Sequence, residues 1–138
     1  LGTVMGMDSP CNASTPIVLT VDEVAEIIEQ IGSSYLAAYA DTQVLSIRGE
    51  SLTDWFDRLG EKVRLVRFTD GNYNGYRIWG KGVLPAEKLA EEIYRTGFNG
   101  LISFQIPGER YCENPKDAQK QNHFRALSAW REVMDCQR

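Results

Sequence analysis

The chain has 138 residues, 43% of them hydrophobic and 25% charged, with a formal net charge of −4. That length suits one domain and excludes two large ones, and the interspersed charges, with no basic stripe among aromatics, argue against nucleic-acid binding. No apolar run approaches the roughly 18–20 residues of a membrane span, so no membrane association is expected.

The apolar opening LGTVMGM reads as a strand ending at Asp8-Ser9-Pro10. It has neither the positive start nor the long apolar core of a secretion signal, which predicts a cytoplasmic protein and leaves the sequon Asn12-Ala13-Ser14 as a chance match. Cys11, Cys112 and Cys136 are an odd set without CxxC spacing, expected to be reduced thiols. Thr20 and Glu23 form a capping box before Val24, Ile27, Ile28 and Ile31, which recur at helical spacing up to Gly32. YLAAYAD is a strand ending at Asp41. Ser51-Leu52-Thr53-Asp54 opens a second helix, with Leu52, Trp55, Phe56 and Leu59 on one face and Gly60 as its stop. Val63–Phe68 is a third strand, followed by Thr69-Asp70-Gly71 and a Gly/Asn/Tyr loop. Pro85 starts a third helix carrying Leu89, Ile93 and the stem of Tyr94, ended by Gly97. GLISFQI, residues 100–106, is a fourth strand, and Asn114-Pro115 starts a last helix with Ala118, Phe124, Leu127 and Trp130 on its apolar face. The single histidine, His123, falls on that helix and is expected to be structural.

The order β-α-β-α-β-α-β-α predicts an α/β fold of four consecutive parallel βα units, residues 1–138, because parallel neighbours need a helical return path. Ligands of such folds sit at the carboxyl ends of the strands. Those ends carry Asp8, Asp41, the Arg67–Asp70 cluster and Gln105. Four units are half of a (β/α)8 barrel, which takes about 250 residues. A curved half-sheet leaves two open edges and an uncovered apolar face. Either the sheet is flatter and covered differently, or a homo-oligomer or a complementing half-barrel chain completes it; the latter is the expectation.

The segment from Glu50 to Ala118 resembles the carboxyl-terminal half of the sugar phosphate isomerase/epimerase family, the xylose isomerase-like TIM barrels. The shared pattern is the DWF helix, the strand ending F-x-D-G, a Gly-rich loop reaching W-G-x-G, G-x-x-S-x-x-I, and an RY…P helix start. The resemblance places the chain on barrel strands five to eight. It implies interconversion of ketoses and aldoses, or epimerisation of ketoses, on a small sugar or sugar phosphate. It also implies one divalent metal such as Mn²⁺, Mg²⁺, Co²⁺ or Zn²⁺, held by Glu, Asp, His and Glu at four strand ends. Carried onto this sequence, those positions are Asp8, Asp41, Arg67 and Gln105, and the family's D-x-x-H histidine falls on Val44. Tyr76 stands where relatives place another His, and Arg110 in GERY matches a substrate-side position.

A guanidinium offers no acceptor and stays protonated, so Arg67 supplies charge where the family has a ligand. Gln105 keeps a carbonyl oxygen and loses the ability to take a proton. No cofactor is therefore expected, and no residue is assigned to a metal. Asp41, Arg67 and Gln105 are the catalytic candidates; Asp8, Asp70, Tyr76, Trp79 and Arg110 are the substrate-binding candidates. Trp79 either walls the sugar's apolar face or anchors its loop, and Arg110 either meets an anionic group or stacks on Tyr111. Two functional classes stand side by side. One is an isomerase or epimerase with an altered or lost metal site. The other is a non-catalytic carbohydrate-binding or interaction module, or a fragment completed by another chain.

Overall fold

The computed structural model describes the strand Val4–Met5 and residues 20–136. Its main sheet has four parallel strands in the order β1 (Val4–Met5), β2 (Ala37–Asp41), β3 (Val63–Arg67) and β6 (Leu101–Ser103). Helix α1 (Val21–Ile31) connects β1 to β2. Helices α2 (Thr42–Arg48) and α3 (Leu52–Leu59) connect β2 to β3, and α4 (Ala86–Arg95) leads to β6. The chain continues into α5 (Pro115–Cys136).

Local chemistry sets the helix ends. Thr20 and Glu23 make the reciprocal capping bonds of α1, and Ser51 and Asp54 do the same for α3. Between β3 and α4, a two-stranded antiparallel hairpin, β4 (Asp70–Asn72) with β5 (Gly75–Arg77), replaces the loop read from the sequence. Its turn is held by Asn72 Oδ1, which accepts from Asn74 N at 2.9 Å, and closed by Gly75 at φ 100°. The unforeseen helix α2 begins on Asp41 as N-cap and ends at Gly49 with φ 72°. The last strand pairs over only three residues, against the seven expected.

Alternation along the strands splits the sheet into two faces. Ala38, Ala40, Val63 and Val66 belong to the core, packed with Ala25 and Ile28 of α1, Leu52 and Trp55 of α3, Ala90 and Ile93 of α4, and Ala126 and Ala129 of α5. Phe68 is fully buried there, its ring 4.4 Å from Trp79 and 5.8 Å from Trp130. On the other face Tyr39 is registered opposite Leu65, Asp41 opposite Arg67, and Leu65 opposite Leu101. Leu101, on the outer strand, is 68% exposed, and among the described residues nothing pairs with the far edge of β6.

Helix α5 corrects one expectation. Its buried face is Ala118, Asn122, Ala126, Ala129 and Val133, while Phe124 is 71% exposed and Leu127 lies at the surface. Small alanines let α5 approach the core and α4 closely, which turns Phe124 away from it.

Candidate functional site

The carboxyl ends of β2 and β3 bring Asp41 and Arg67 side by side. Asp41 is buried, and each of its oxygens has a separate task. Oδ1 accepts from Gln43 N at 3.0 Å and Val44 N at 3.1 Å, capping α2. Oδ2 accepts from the Tyr76 hydroxyl at 2.9 Å and lies 3.5 Å from Arg67 Nη1. The Arg67 guanidinium stacks over the Tyr39 ring, 4.8 Å from its centroid. Its side chain is 24% exposed, so the cation faces both Asp41 and the rim. Thr42 fixes the two strand ends together: its Oγ1 donates to Thr69 O at 2.6 Å and accepts from Thr69 N at 2.9 Å.

The electrostatics follow from burial. Loss of water pushes the Asp41 carboxyl above its ordinary range, against the pull of the Val44 N–H, the Tyr76 hydroxyl and Arg67. Burial, then the charge and the hydrogen bond of Asp41, push the Tyr76 phenol far above its usual value. Tyr76 is thus held as a proton donor to Asp41 at every physiological pH. Burial works against the Arg67 cation, and its interactions with Tyr39, Asp41 and Tyr76 outweigh it, so the guanidinium is held protonated.

Asp70 and Trp79, two candidates for substrate contact, are both buried and bonded within the protein. Asp70 is fully buried and accepts four backbone N–H groups: Gly71 (2.7 Å) and Leu84 (3.1 Å) on Oδ1, Gly80 and Gly82 (each 2.9 Å) on Oδ2. Two bonds per oxygen occupy its lone pairs, so Asp70 organises the loop instead of facing a ligand. A Cβ on Gly82 would stand 2.1 Å from Asp70 Oδ1, which explains a glycine there. Trp79 is buried against Phe68 and donates from Nε1 to Phe68 O at 3.2 Å, so it anchors the loop to the core.

The remaining candidates scatter. Gln105 follows the end of β6, two residues beyond Ser103, the register partner of Arg67. No hydrogen bond links it to Asp41, Arg67 or Tyr76. Arg110 is exposed and donates to Asn74 O, tying the β6–α5 loop to the hairpin turn, while the Tyr111 hydroxyl accepts from Ile78 N at 3.2 Å. Arg110 therefore does not stack on Tyr111. Asp8 lies outside the described residues, as does Cys11; Cys112 and Cys136 are free and exposed. His123 is exposed and meets the edge of Phe104. No helix among the described residues is long and apolar enough to cross a membrane.

Sequence reasoning passed over Tyr39, which alternation along YLAAYAD puts on the same face as Asp41. It also passed over Thr42, whose clasp on Thr69 depends on contacts 27 residues apart and leaves no local signal.

No family model matches the chain. It is 26% identical over 131 residues to the fructoselysine 3-epimerases of Escherichia coli O157:H7 and Shigella flexneri, covering 89% of this chain and 47% of each relative. Among solved structures, an L-ribulose 3-epimerase superposes with a TM-score of 0.61 at 14% identity, over 87% of this chain and 46% of that one. A D-psicose 3-epimerase from Clostridium cellulolyticum H10, determined with D-tagatose, gives a TM-score of 0.57 at 17% identity, over 87% and 44%. The chain thus spans about half the length of the relatives it matches. Over most of its length it is similar to the carboxyl-terminal half of xylose isomerase-like TIM-barrel sugar epimerases.

Proposed function

We propose that this chain supplies the active-site rim of a sugar or sugar-phosphate isomerase/epimerase-family protein in which an arginine-centred cluster replaces a metal centre. The observation that carries this reading is the Arg67 guanidinium 3.5 Å from Asp41 Oδ2. The donor set does not fit a divalent cation. Asp41 spends both oxygens on α2, Tyr76 and Arg67; Arg67 has no lone pair to give; Gln105 is neutral. A cation placed against Asp41 would also meet the positive charge of Arg67 at close range.

The chain's own groups suit binding better than proton transfer. Arg67, partly open to the rim, can donate to a sugar oxygen or a phosphate, and Asp41 and Tyr76 hold it in place. Tyr76 keeps its proton, donating to Asp41 and accepting from Arg67, and Gln105 cannot carry a proton, so a two-carboxylate relay across a ketose carbonyl lacks one member. Asp41, Arg67 and Gln105 remain the residues assigned to the reacting part of a sugar in this reading, with Arg110 at its margin; Asp8 is kept as a substrate-binding candidate from the sequence alone. A second reading, a carbohydrate-binding or interaction module without turnover, is favoured by the full engagement of Asp41. The β6 edge, unpaired among the described residues, and the exposed Leu101 support a second half-barrel, from another copy or another chain, closing the sheet.

The test pairs sugar binding with turnover: a ketopentose, a ketohexose and their phosphates, incubated with and without Mn²⁺ and with a chelator. Binding that Arg67→Ala weakens at least tenfold, with no chelator-sensitive epimerisation, is the expected result. Metal-dependent epimerisation would overturn the arginine-centred site, and absence of any sugar binding would overturn the sugar reading.

A further inference from the structure

We propose that the cavity between the β6–α5 loop and the first turns of α5 is a binding site for an organic oxyanion, a phosphate or carboxylate carried on an apolar stem. The cavity has a volume of about 420 Å³, and none of Asp41, Arg67 or Tyr76 lines it. That is far more than a bare phosphate fills and within the range of small-molecule sites.

Its chemistry is one-sided. Lys116 and Lys120, one helical turn apart on α5, stand on one wall, and no carboxylate lines the cavity. Phe104 and Ile106 make an apolar wall. Phe104 is held between the core ring of Phe68, at 6.4 Å, and His123, which meets it edge-on at 6.0 Å.

Asn122 is the independent observation. It is only 3% exposed, yet it lines the cavity. Its Oδ1 accepts from Trp79 N at 2.7 Å, which settles the amide orientation, because a flipped amide would set NH₂ against N–H. The Nδ2 donors are therefore turned from Trp79, have no protein partner among the described residues, and are not sealed from the cavity. A buried amide with free donors, in a cavity lined by two lysines and no carboxylate, asks for an acceptor-rich, negatively charged ligand.

The probes are phenyl phosphate, benzoate and inorganic phosphate, titrated into the ¹⁵N-labelled chain and followed by the Asn122 side-chain amide and the backbone of residues 104–106 and 116–123. Phenyl phosphate or benzoate is expected to shift these signals saturably and to bind at least fivefold tighter than inorganic phosphate, the stem using the Phe104–Ile106 wall. Whichever of the two binds tighter identifies the head group. Asn122→Asp keeps the acceptor for Trp79 N–H and replaces the donor by a negative charge, and is expected to weaken binding at least tenfold. The surface double variant Lys116→Gln/Lys120→Gln, which leaves the core untouched, gives the same loss if Asn122→Asp does not fold. No shift at these residues, shifts confined to the surroundings of Arg67, or unchanged affinity in the double lysine variant would overturn the site.

Discussion

Asp41 and Asp70 are both buried carboxylates at the carboxyl end of the sheet, yet they are solvated in opposite ways. Asp70 takes four backbone N–H groups from its own loop and, among the described residues, no side-chain donor. Asp41 takes two backbone N–H groups and gives its other oxygen to Tyr76 and Arg67, side chains from two other segments. Backbone donors fixed in one loop make a frame. Side-chain donors that can rotate or exchange partners make a centre able to respond to a ligand. The difference separates the architecture of the loop from its chemistry, although both residues lie in strand-end turns where aspartate is common.

Truncating the frame is expected to have the largest effect. Asp70→Ala leaves four N–H groups without their acceptor, one buried and three part-buried; at about 1–3 kcal/mol for a buried unsatisfied group and less where water reaches, the expected loss is about 2–4 kcal/mol, read as a lower midpoint in a denaturant melt. A loss below about 1 kcal/mol would show that water replaces the carboxylate and that Asp70 is no frame. Gly82→Ala attacks the same knot from the other side. With a Cβ 2.1 Å from Asp70 Oδ1, it is expected to cost about 2–3 kcal/mol, read as a lower denaturation midpoint.

Asp41→Asn sharpens the contrast with a small effect. The asparagine oxygen keeps the cap of α2, and the buried charge disappears, so stability at neutral pH is expected to change by less than about 1 kcal/mol. The pH dependence carries the signature. The folded Asp41 holds its proton above the ordinary carboxylate value of 3.8. Between that value and the raised folded value the native state binds more protons than the unfolded one, so this residue's contribution to stability falls as pH rises and is level above the window. The difference in unfolding free energy between wild type and Asp41→Asn, measured from pH 3 to pH 7, should therefore move against the wild type as pH rises. A difference moving the other way would mean that Arg67 and Tyr76 outweigh desolvation.

Much of the frame could be read directly from residues. The Thr20–Glu23 and Ser51–Asp54 boxes marked helix starts because a cap is a local bond, and alternation in YLAAYAD marked a strand because one face is buried. The hairpin was missed although Asn74-Gly75 is a turn signal, since Asn and Gly were read as loop. Helix α2 was missed because Asp41 was considered as a ligand and not as an N-cap. In α5, Phe124 and Leu127 were assigned to the core by hydrophobicity, whereas close approach selected the alanines. The site was legible in part: both Asp41 and Arg67 were read as strand ends, register sets them opposite each other, and Tyr76 folds back onto them. The loop-ordering role of Asp70 was not legible, because no local pattern reveals that a carboxylate binds N–H groups ten to fourteen residues away, whereas the anchoring role of Trp79 was one of the two readings its sequence allowed.

The central claim is that the cation beside Asp41 is Arg67 itself. Calorimetric titration of the purified chain with Mn²⁺ and Zn²⁺ tests it most directly, alongside Arg67→His/Gln105→Glu, which restores two metal-ligating side chains. The account predicts no saturable binding by the wild type and measurable binding by the double variant. Tight, stoichiometric binding by the wild type that Asp41→Asn removes would contradict it.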